Sequence, residues 1–304
     1  MLINGDRVAG LFHLMIGASM ISFSGVFVKL AQVGPTTAGF YRVLFGGIIL
    51  LLLVLAKGDG KWKRGASWGH AMLCGLFFAL DLTFWHRSVH ALGPGVATLL
   101  ANFQVFFLAG FGVIFLGERV SRTLLFSVPL SLFGLFLIVG LNWRELELAQ
   151  EGGVLFGLAT AACYATMILT LWRAELRGTF PSPAANLSVI CLVTSLVLGV
   201  ESWSWGEGFV IPDLQGLGAL VAYGLVSQVL GWMFISRGIV RVEVSRAGLV
   251  LLLQPALAFV WDVALFGRGF SVTDGVGGLL ALSGIYTGVT ASGAGSQKAV
   301  GGTS

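Results

Sequence analysis

The sequence predicts an all-α membrane protein with about ten transmembrane helices. Of its 304 residues, 56% are hydrophobic and only 11% are charged, and the mean hydropathy is +0.91, whereas soluble domains are about 25% charged. The apolar residues also form long continuous blocks, each near the ~20 residues that one helical crossing of a bilayer requires. A β-barrel is disfavoured because barrel strands alternate apolar and polar residues over about 10 positions.

Ten apolar blocks are separated by short segments with Gly, Pro and charged residues, which are typical turn signals. In chain order the predicted crossings are 9–30, 36–56, 68–90, 94–116, 122–140, 152–173, 183–201, 215–238, 244–266 and 273–291. The longest connection, around 202–214, is too short for a soluble domain. The Gly- and Ser-rich segment 292–304 is predicted to be a flexible tail.

The basic residues indicate the orientation in the membrane. With an even number of crossings, most of the 18 Lys and Arg residues fall in segments on the side of the N-terminus, among them Lys57, Arg119 and Arg237. Cytoplasmic loops are enriched in Lys and Arg, so both termini are expected in the cytoplasm and the chain in the cell inner membrane. The net charge of +4 reflects this sidedness, and no nucleic-acid partner is predicted.

The two halves of the chain show an internal repeat. An offset of 150 positions aligns Gln104 with Gln254, Gly117 with Gly267, Ser121 with Ser271 and Gly134 with Gly284. Residues 9–140 and 152–291 then form two five-helix repeats, and because five is odd the second is inverted relative to the first. Inverted repeats are typical of secondary transporters, whose substrate site lies near the midplane between the repeats.

One stretch resembles a known family. The segment FQVFFLAGFGVIFLGERVSRTLLFSVPLSLFGLFLIVG is similar to the EamA family of the drug/metabolite transporter superfamily, which has a short Gly-Glu-Arg/x-Ser turn followed by a Gly-containing helix. The segment LLQPALAFVWDVALFGRGFSVTDGVGGLLALSGIYTG is similar too, but has Arg268 where the family usually carries Glu. The resemblance covers residues 9 to 291 and implies a secondary transporter of small organic solutes such as amino acids, often an exporter, without a cofactor.

The same turn leaves two interpretations of Glu118. The family pattern suggests a structural latch, whereas a solvated turn residue paired with Arg119 or Arg122 explains the residue equally well. The glycines have a simpler interpretation, because small residues let helix backbones approach closely in lipid. The predicted packing positions are Gly25, Gly46, Gly47, Gly110, Gly134, Gly157, Gly224 and Gly284.

Ionisable residues inside the spans are the first candidate functional groups, because a charge at the bilayer centre costs about 2.5–3.5 kcal/mol on insertion scales. Asp81 is the most central, while Arg42 and Asp262 lie toward the outer side. An ion pair of Arg42 with Asp81 or with Asp262 would be purely structural. Alternatively, Asp81 faces a central cavity and either carries a proton or contacts a cationic group of the substrate.

Neutral polar and aromatic residues lie at a similar depth. With Asp81, the predicted substrate-binding residues are Trp85, Asn102, Gln104, Tyr164, Gln228, Trp232 and Gln254, and an aromatic wall could extend to Phe40 and Tyr41. Each could instead make an interhelical hydrogen bond or pack in the core. Pro255 beside Gln254 predicts a break in the ninth helix, and Val105 at the equivalent position predicts none in the fourth.

Other functions are less well supported. His86 and His90 have the spacing of metal ligands, but Arg87 stands where an HExxH motif has Glu, and no Cys or carboxylate cluster completes a site. No enzyme activity, metal or cofactor is therefore predicted. The expected partners are a small-molecule substrate and the lipid bilayer, and a homodimer is left open. A non-transporting scaffold or a passive channel is the alternative function.

Overall fold

The protein is represented by a computed structural model, which describes residues 4–58, 68–139, 151–178 and 180–290. Every regular element in these ranges is a helix. The helices are α1 (Asn4–Ser22), α2 (Ser24–Ala31), α3 (Pro35–Ala56), α4 (Trp68–Ala101), α5 (Gln104–Leu116), α6 (Arg122–Val139), α7 (Glu151–Arg177), α8 (Pro183–Trp205), α9 (Leu214–Ala222), a π-helical segment (Tyr223–Gly231), α10 (Trp232–Ile239), α11 (Val244–Leu251), α12 (Leu253–Phe266) and α13 (Val272–Thr290). The predicted tail 292–304 lies outside the described residues.

Helices occupy all ten predicted spans within the described ranges, and eight helical stretches are long and apolar enough to cross a membrane. One stretch, Trp68–Leu116, has 49 residues, which at 1.5 Å per residue would far exceed a bilayer core of about 30 Å. Gly93, with φ 80° and ψ 160°, interrupts this helix between the third and fourth predicted spans. Val272–Thr290 is not among the eight stretches.

The fourth predicted span is broken at its middle as well as the ninth, so the expectation of a one-sided break was wrong. Asn102 and Phe103 separate α4 from α5, and Leu252 separates α11 from α12. The repeat offset of 150 positions relates Asn102 to Leu252. The N–H groups of Phe103 and Leu252 donate to carbonyls three residues earlier, at 3.0 and 3.1 Å, as in a 3₁₀ turn. Pro255 is therefore not required for such a break, since the first repeat forms it without a proline.

The two halves of the chain pack directly on each other, with α4 against α7, α3 against α8 and α6 against α13. The α6–α13 contact depends on glycine. A Cβ on Gly134 would collide with the backbone nitrogen of Ala281, and one on Gly284 with Ser131. Most of the predicted packing glycines have such neighbours, but Gly25 and Gly110 do not: no heavy atom lies within 4 Å of a Cβ built on either.

We expect Gly134→Ala to destabilise the protein by about 1–3 kcal/mol, because the new methyl group must separate two backbones. Gly110→Ala is the matched control, since its methyl group meets open space and alanine is the better helix former. The fraction of detergent-purified protein that stays monodisperse after heating measures the difference. Equal melting temperatures for the two variants would contradict the close α6–α13 contact.

Candidate functional site

A cavity of about 560 Å³ lies between the two halves of the bundle, within the usual range for small-molecule sites. Seven of the eight predicted substrate-binding residues line it: Asp81, Trp85, Asn102, Gln104, Tyr164, Trp232 and Gln254. Gln228 does not line the cavity and lies instead against Arg42, which does. Residues selected by depth alone are thus brought together around one space.

Asp81 lies in the wall of this cavity and is only 6% exposed. No described Lys, Arg or His nitrogen lies within 4.0 Å of its carboxylate. Its side chain also makes no hydrogen bond among the described residues; only its main-chain carbonyl accepts one, from Thr160 Oγ1 at 3.5 Å. The structural ion pair between Arg42 and Asp81 is therefore not formed, and a buried carboxylate is left facing the cavity.

Asp262 pairs with Lys29 rather than with Arg42. Lys29 Nζ lies 2.7 Å from Asp262 Oδ1 and 4.6 Å from the centre of the Phe266 ring. Both charged residues line the cavity, near the C-terminal ends of α2 and α12. We call this end of the bundle the Lys29 end. The sequence places both residues near the outer ends of their spans, but it carries no signal that these two helices are neighbours.

Arg42 is buried, 6% exposed, and its guanidinium is held by neutral groups. Nε donates to Gln228 Oε1 at 2.8 Å, and Nη1 donates to the hydroxyl of Tyr223 at 3.3 Å. The guanidinium carbon lies 5.1 Å from the centre of the Tyr223 ring and 5.7 Å from that of Phe78. These contacts fix the orientation of the cation but bring no negative charge to it.

Aromatic and amide groups form the rest of the midplane wall. Gln254 Nε2 donates to the Tyr164 hydroxyl at 3.3 Å, and the ring of Tyr164 meets that of Trp232 at 6.3 Å. Two buried polar atoms here, Gln104 Oε1 and Trp232 Nε1, have no hydrogen-bond partner in the described part of the chain. One acceptor and one donor of residues in the cavity wall are thus left without a partner among the described residues.

Phe40 and Tyr41 do not extend this wall as predicted. The ring of Phe40 packs edge-on against Tyr41 and against Phe209, in each case at 5.1 Å, and the Tyr41 hydroxyl donates to the carbonyl of Phe209 at 2.6 Å. Neither residue contributes to the cavity. His86, which has the spacing of a metal ligand to His90 in the sequence, lies with Nδ1 3.3 Å from Thr36 Oγ1.

The opposite end of the bundle is closed around Glu118, and we call it the Glu118 end. Glu118 Oε1 accepts a hydrogen bond from the Val244 N–H at 2.7 Å, and Oε2 accepts one from the Ser245 N–H at 3.1 Å. These N–H groups begin α11 and have no partner within their own helix. Glu118 is therefore the latch suggested by the family pattern, and it joins the two halves of the chain.

Arg268, at the position matching Glu118 in the second repeat, makes the opposite contact. Its Nη2 donates to the carbonyl of Ile138 at 3.0 Å, near the end of α6, and its guanidinium lies 4.8 Å from the centre of the Phe259 ring. A carboxylate stabilises the positive N-terminal end of a helix and a guanidinium the negative C-terminal end. Both repeats thus have a charged contact to a helix end at this position. Glu118 contacts the N-terminal end of α11, whereas Arg268 contacts the C-terminal end of α6.

The Glu118 end has further contacts that keep it closed. Arg246 is 3% exposed; its Nη1 donates to the Val289 carbonyl at 2.9 Å and its Nε lies 3.4 Å from Glu243 Oε2. A Cβ on Gly248 would lie 3.1 Å from the side chain of Leu108, so α5 and α11 are in close contact. None of these residues lines the cavity, which extends from the midplane to the Lys29 end.

The sequence of this bundle matches a known protein family. The model of the EamA-like transporter family matches residues 8–140 and again 151–290, which together are most of the chain. The chain belongs to the EamA-like transporter family. The resemblance to this family and to the drug/metabolite transporter superfamily is therefore confirmed, and the chain is a multi-pass membrane protein of a family named for transport rather than catalysis.

Several relatives of this EamA-like protein are also named as transporters. An uncharacterized transporter of Archaeoglobus fulgidus is 25% identical over 90% of this chain and 93% of its own. The pseudopaline exporter CntI of Pseudomonas aeruginosa is 26% identical over 75% of this chain and 78% of its own. A probable amino-acid metabolite efflux pump of Salmonella typhimurium is 22% identical, over 64% and 67% of the two chains.

A solved crystal structure has the same fold as this EamA-like protein. It superposes with a TM-score of 0.77 and covers 93% of this chain and 97% of that one, at 18% sequence identity. The bundle described here is thus a fold that also occurs in a protein of very different sequence.

We expect Glu118→Gln to destabilise this EamA-like protein by about 1–3 kcal/mol. The amide keeps one acceptor oxygen, so one buried N–H of α11 loses its partner, and the negative charge at the helix N-terminus is lost. Thermal unfolding in detergent measures the effect. Asp6→Asn, at an exposed carboxylate in the first turn of α1, is the control, and an equal response of both variants would contradict the latch.

Proposed function

We propose that the protein is a secondary transporter, an exporter of small organic solutes such as amino acids, that works by alternating access. The observation that carries the proposal is a cavity between the two halves of the chain that holds an unpaired buried carboxylate, Asp81. The relatives named as an amino-acid metabolite efflux pump and as a pseudopaline exporter support the solute class and the direction. The protein is proposed to lie in the cell inner membrane, with ten crossings and both termini in the cytoplasm.

The shape of the cavity supports alternating access over a passive channel. A channel needs a continuous path, whereas this cavity extends from the midplane to the Lys29 end and includes no residue of the Glu118 latch. With the proposed topology, the described state faces outward. Inverted repeats allow the opposite state to form when each half takes the conformation of the other.

The contacts at the two ends differ in a way that fits this cycle. The side chains of Lys29 and Asp262 are 48% and 28% exposed, and ion pairs this accessible to water stabilise by about 0–1 kcal/mol. The contacts of Glu118 are made to buried backbone N–H groups and cost more to break. We infer that the Lys29 end opens and closes readily, and that separating α11 from Glu118 is the larger step.

Within the cavity, Asp81 is proposed to carry a proton or to bind a cationic group of the solute. Trp85, Asn102, Gln104, Tyr164, Trp232 and Gln254 are proposed to contact the solute, and Gln228 to act through Arg42. A carboxylate without a partner in the protein is suited to either role of Asp81, because loss or gain of a proton or a cation changes its charge without breaking an existing ion pair.

Transport by purified protein in liposomes, with an imposed pH gradient and a panel of labelled amino acids, tests the proposal. We expect gradient-driven flux of at least one solute, and at least tenfold less in Asp81→Asn. Asp6→Asn removes an exposed carboxylate away from the cavity and is expected to transport as the wild type does.

Three other results would correct or contradict the proposal. Wild-type flux and pH dependence in Asp81→Asn would remove Asp81 from the mechanism. Loss of flux in Asp262→Asn alone would place the essential carboxylate at the Lys29 end instead. An absence of flux for every solute would contradict the transport of amino acids.

A further inference from the structure

We propose that Arg42 binds a carboxylate of the transported solute and thereby makes the cavity selective for acids over their neutral analogues. This inference rests on the proposed function, because it identifies the group that recognises the solute within the same cavity. It assigns to Arg42 a role in specificity rather than a structural ion pair with Asp81 or Asp262.

The first argument is the missing counter-charge of Arg42. Its side chain is almost fully buried in the bundle and lines the cavity, where an uncompensated charge is costly. Within the described ranges no carboxylate lies within 4.0 Å of it, and Nη2 makes no hydrogen bond. The neutral oxygens of Gln228 and Tyr223 accept hydrogen bonds but cannot neutralise the cation.

The charged residues that line the cavity also indicate that Arg42 is the group without a counter-charge. Three basic side chains, Lys29, Arg42 and Arg268, and two carboxylates, Asp81 and Asp262, line the cavity. Lys29 and Asp262 neutralise each other, and Arg268 lies at the negative end of α6 through its hydrogen bond to a main-chain carbonyl. Of the described basic residues in the wall, Arg42 alone has neither an acidic nor a helix-end partner.

The second argument is the way in which the guanidinium is positioned. Tyr223 and Gln228 are five residues apart, and both lie in the π-helical segment Tyr223–Gly231. A π-helix forms i→i+5 hydrogen bonds, so residues five apart are about one turn apart and face the same side, whereas an α-helix would separate them. This wide turn therefore directs both acceptors to Arg42, and π-helical turns occur frequently at functional sites.

Close packing of the backbone keeps this arrangement rigid. A Cβ on Gly46 would lie 2.6 Å from Gln228 Cγ, and one on Gly224 would lie 3.2 Å from the Arg42 carbonyl oxygen. The glycines thus let α3 approach the π-helical segment closely. A guanidinium fixed at Nε and Nη1, with its remaining N–H groups free, is prepared to bind the two oxygens of a carboxylate.

The two unpaired charges in the cavity wall, Arg42 and Asp81, then have complementary roles. A solute carboxylate at Arg42 leaves Asp81 available for the proton or the cationic group of the proposed function. Direct pairing of the two residues would make both roles impossible, and the structure holds them apart by more than the 4.0 Å of an ion pair.

Binding of matched pairs of ligands tests this proposal. The probes are the proteinogenic amino acids and, for each, its α-carboxamide, and the readout is the ligand-dependent rise in the melting temperature of the purified full-length protein, titrated to give a Kd. We expect at least one acid to bind the wild type at least tenfold more tightly than its amide. In Arg42→Gln this ratio falls to about one, and Arg42→Lys, which keeps the charge, retains part of it.

Two further variants separate this role from a general effect of charge. Arg237→Gln removes an exposed cation outside the cavity, and Arg268→Gln removes one inside it. Both are expected to keep the preference for the acid. An equal loss of preference in Arg268→Gln would show that the net charge of the cavity selects acids, and would overturn the assignment to Arg42.

Other outcomes overturn the proposal without any variant. An amide that binds as tightly as its acid, or a panel in which no acid binds the wild type, contradicts it. Failure of this inference remains distinct from failure of the proposed function. If amides are transported at the same rate as acids, the protein is a transporter but Arg42 does not select its solutes. If acids bind selectively and no flux is measured, Arg42 selects acids but the proposed transport function fails.

Discussion

The lipid interior offers no hydrogen-bond donors or acceptors, so a polar group inside this bundle must find its partner within the protein. That constraint explains how the two halves of the chain are joined. The first N–H groups of α11 are satisfied by Glu118 from the other half, and the carbonyl of Ile138 is satisfied by Arg268. Helix ends that would be solvated in a soluble protein thus become the contacts between the repeats. In the proposed alternating-access cycle they are also the contacts that have to exchange.

Because of the same constraint, polar groups that remain without a partner in the protein are candidates for binding a solute. Asp81, the Gln104 oxygen and the Trp232 indole N–H all lie in the cavity wall and are unpaired within the described residues. Arg246, a buried charge outside the cavity, is paired with Glu243 and with the Val289 carbonyl. A buried carboxylate and two unpaired polar atoms that belong to residues around one cavity are the physical basis for proposing that this cavity is the solute site.

The two repeats are most informative where they differ. Both contain a 3₁₀-like turn at the midplane, at Phe103 and at Leu252, so this feature belongs to the shared architecture. The π-helical segment Tyr223–Gly231 has no counterpart in the first repeat, where the equivalent residues form part of the α-helix α4. Because π-helical turns are rare and occur frequently at functional sites, the position of this one beside Arg42 supports the proposed role of Arg42 in recognition.

Hydropathy and turn residues determined the helix positions from the sequence alone. The family came from the resemblance of two segments, one of which contains the Gly117-Glu118-Arg119 turn. Counting 1.5 Å per residue along each span also placed Asp81, Gln104 and Gln254 near one depth. Only the tertiary structure decided which side chains meet at that depth. The Lys29–Asp262 pair, the contacts of Arg42 with Gln228 and Tyr223, and the removal of Tyr41 from the cavity wall depend on which helices are neighbours and how each is rotated. A helix surrounded by lipid and by equally apolar helices shows little amphipathic periodicity, so its sequence records how deep a residue lies but not which way it faces.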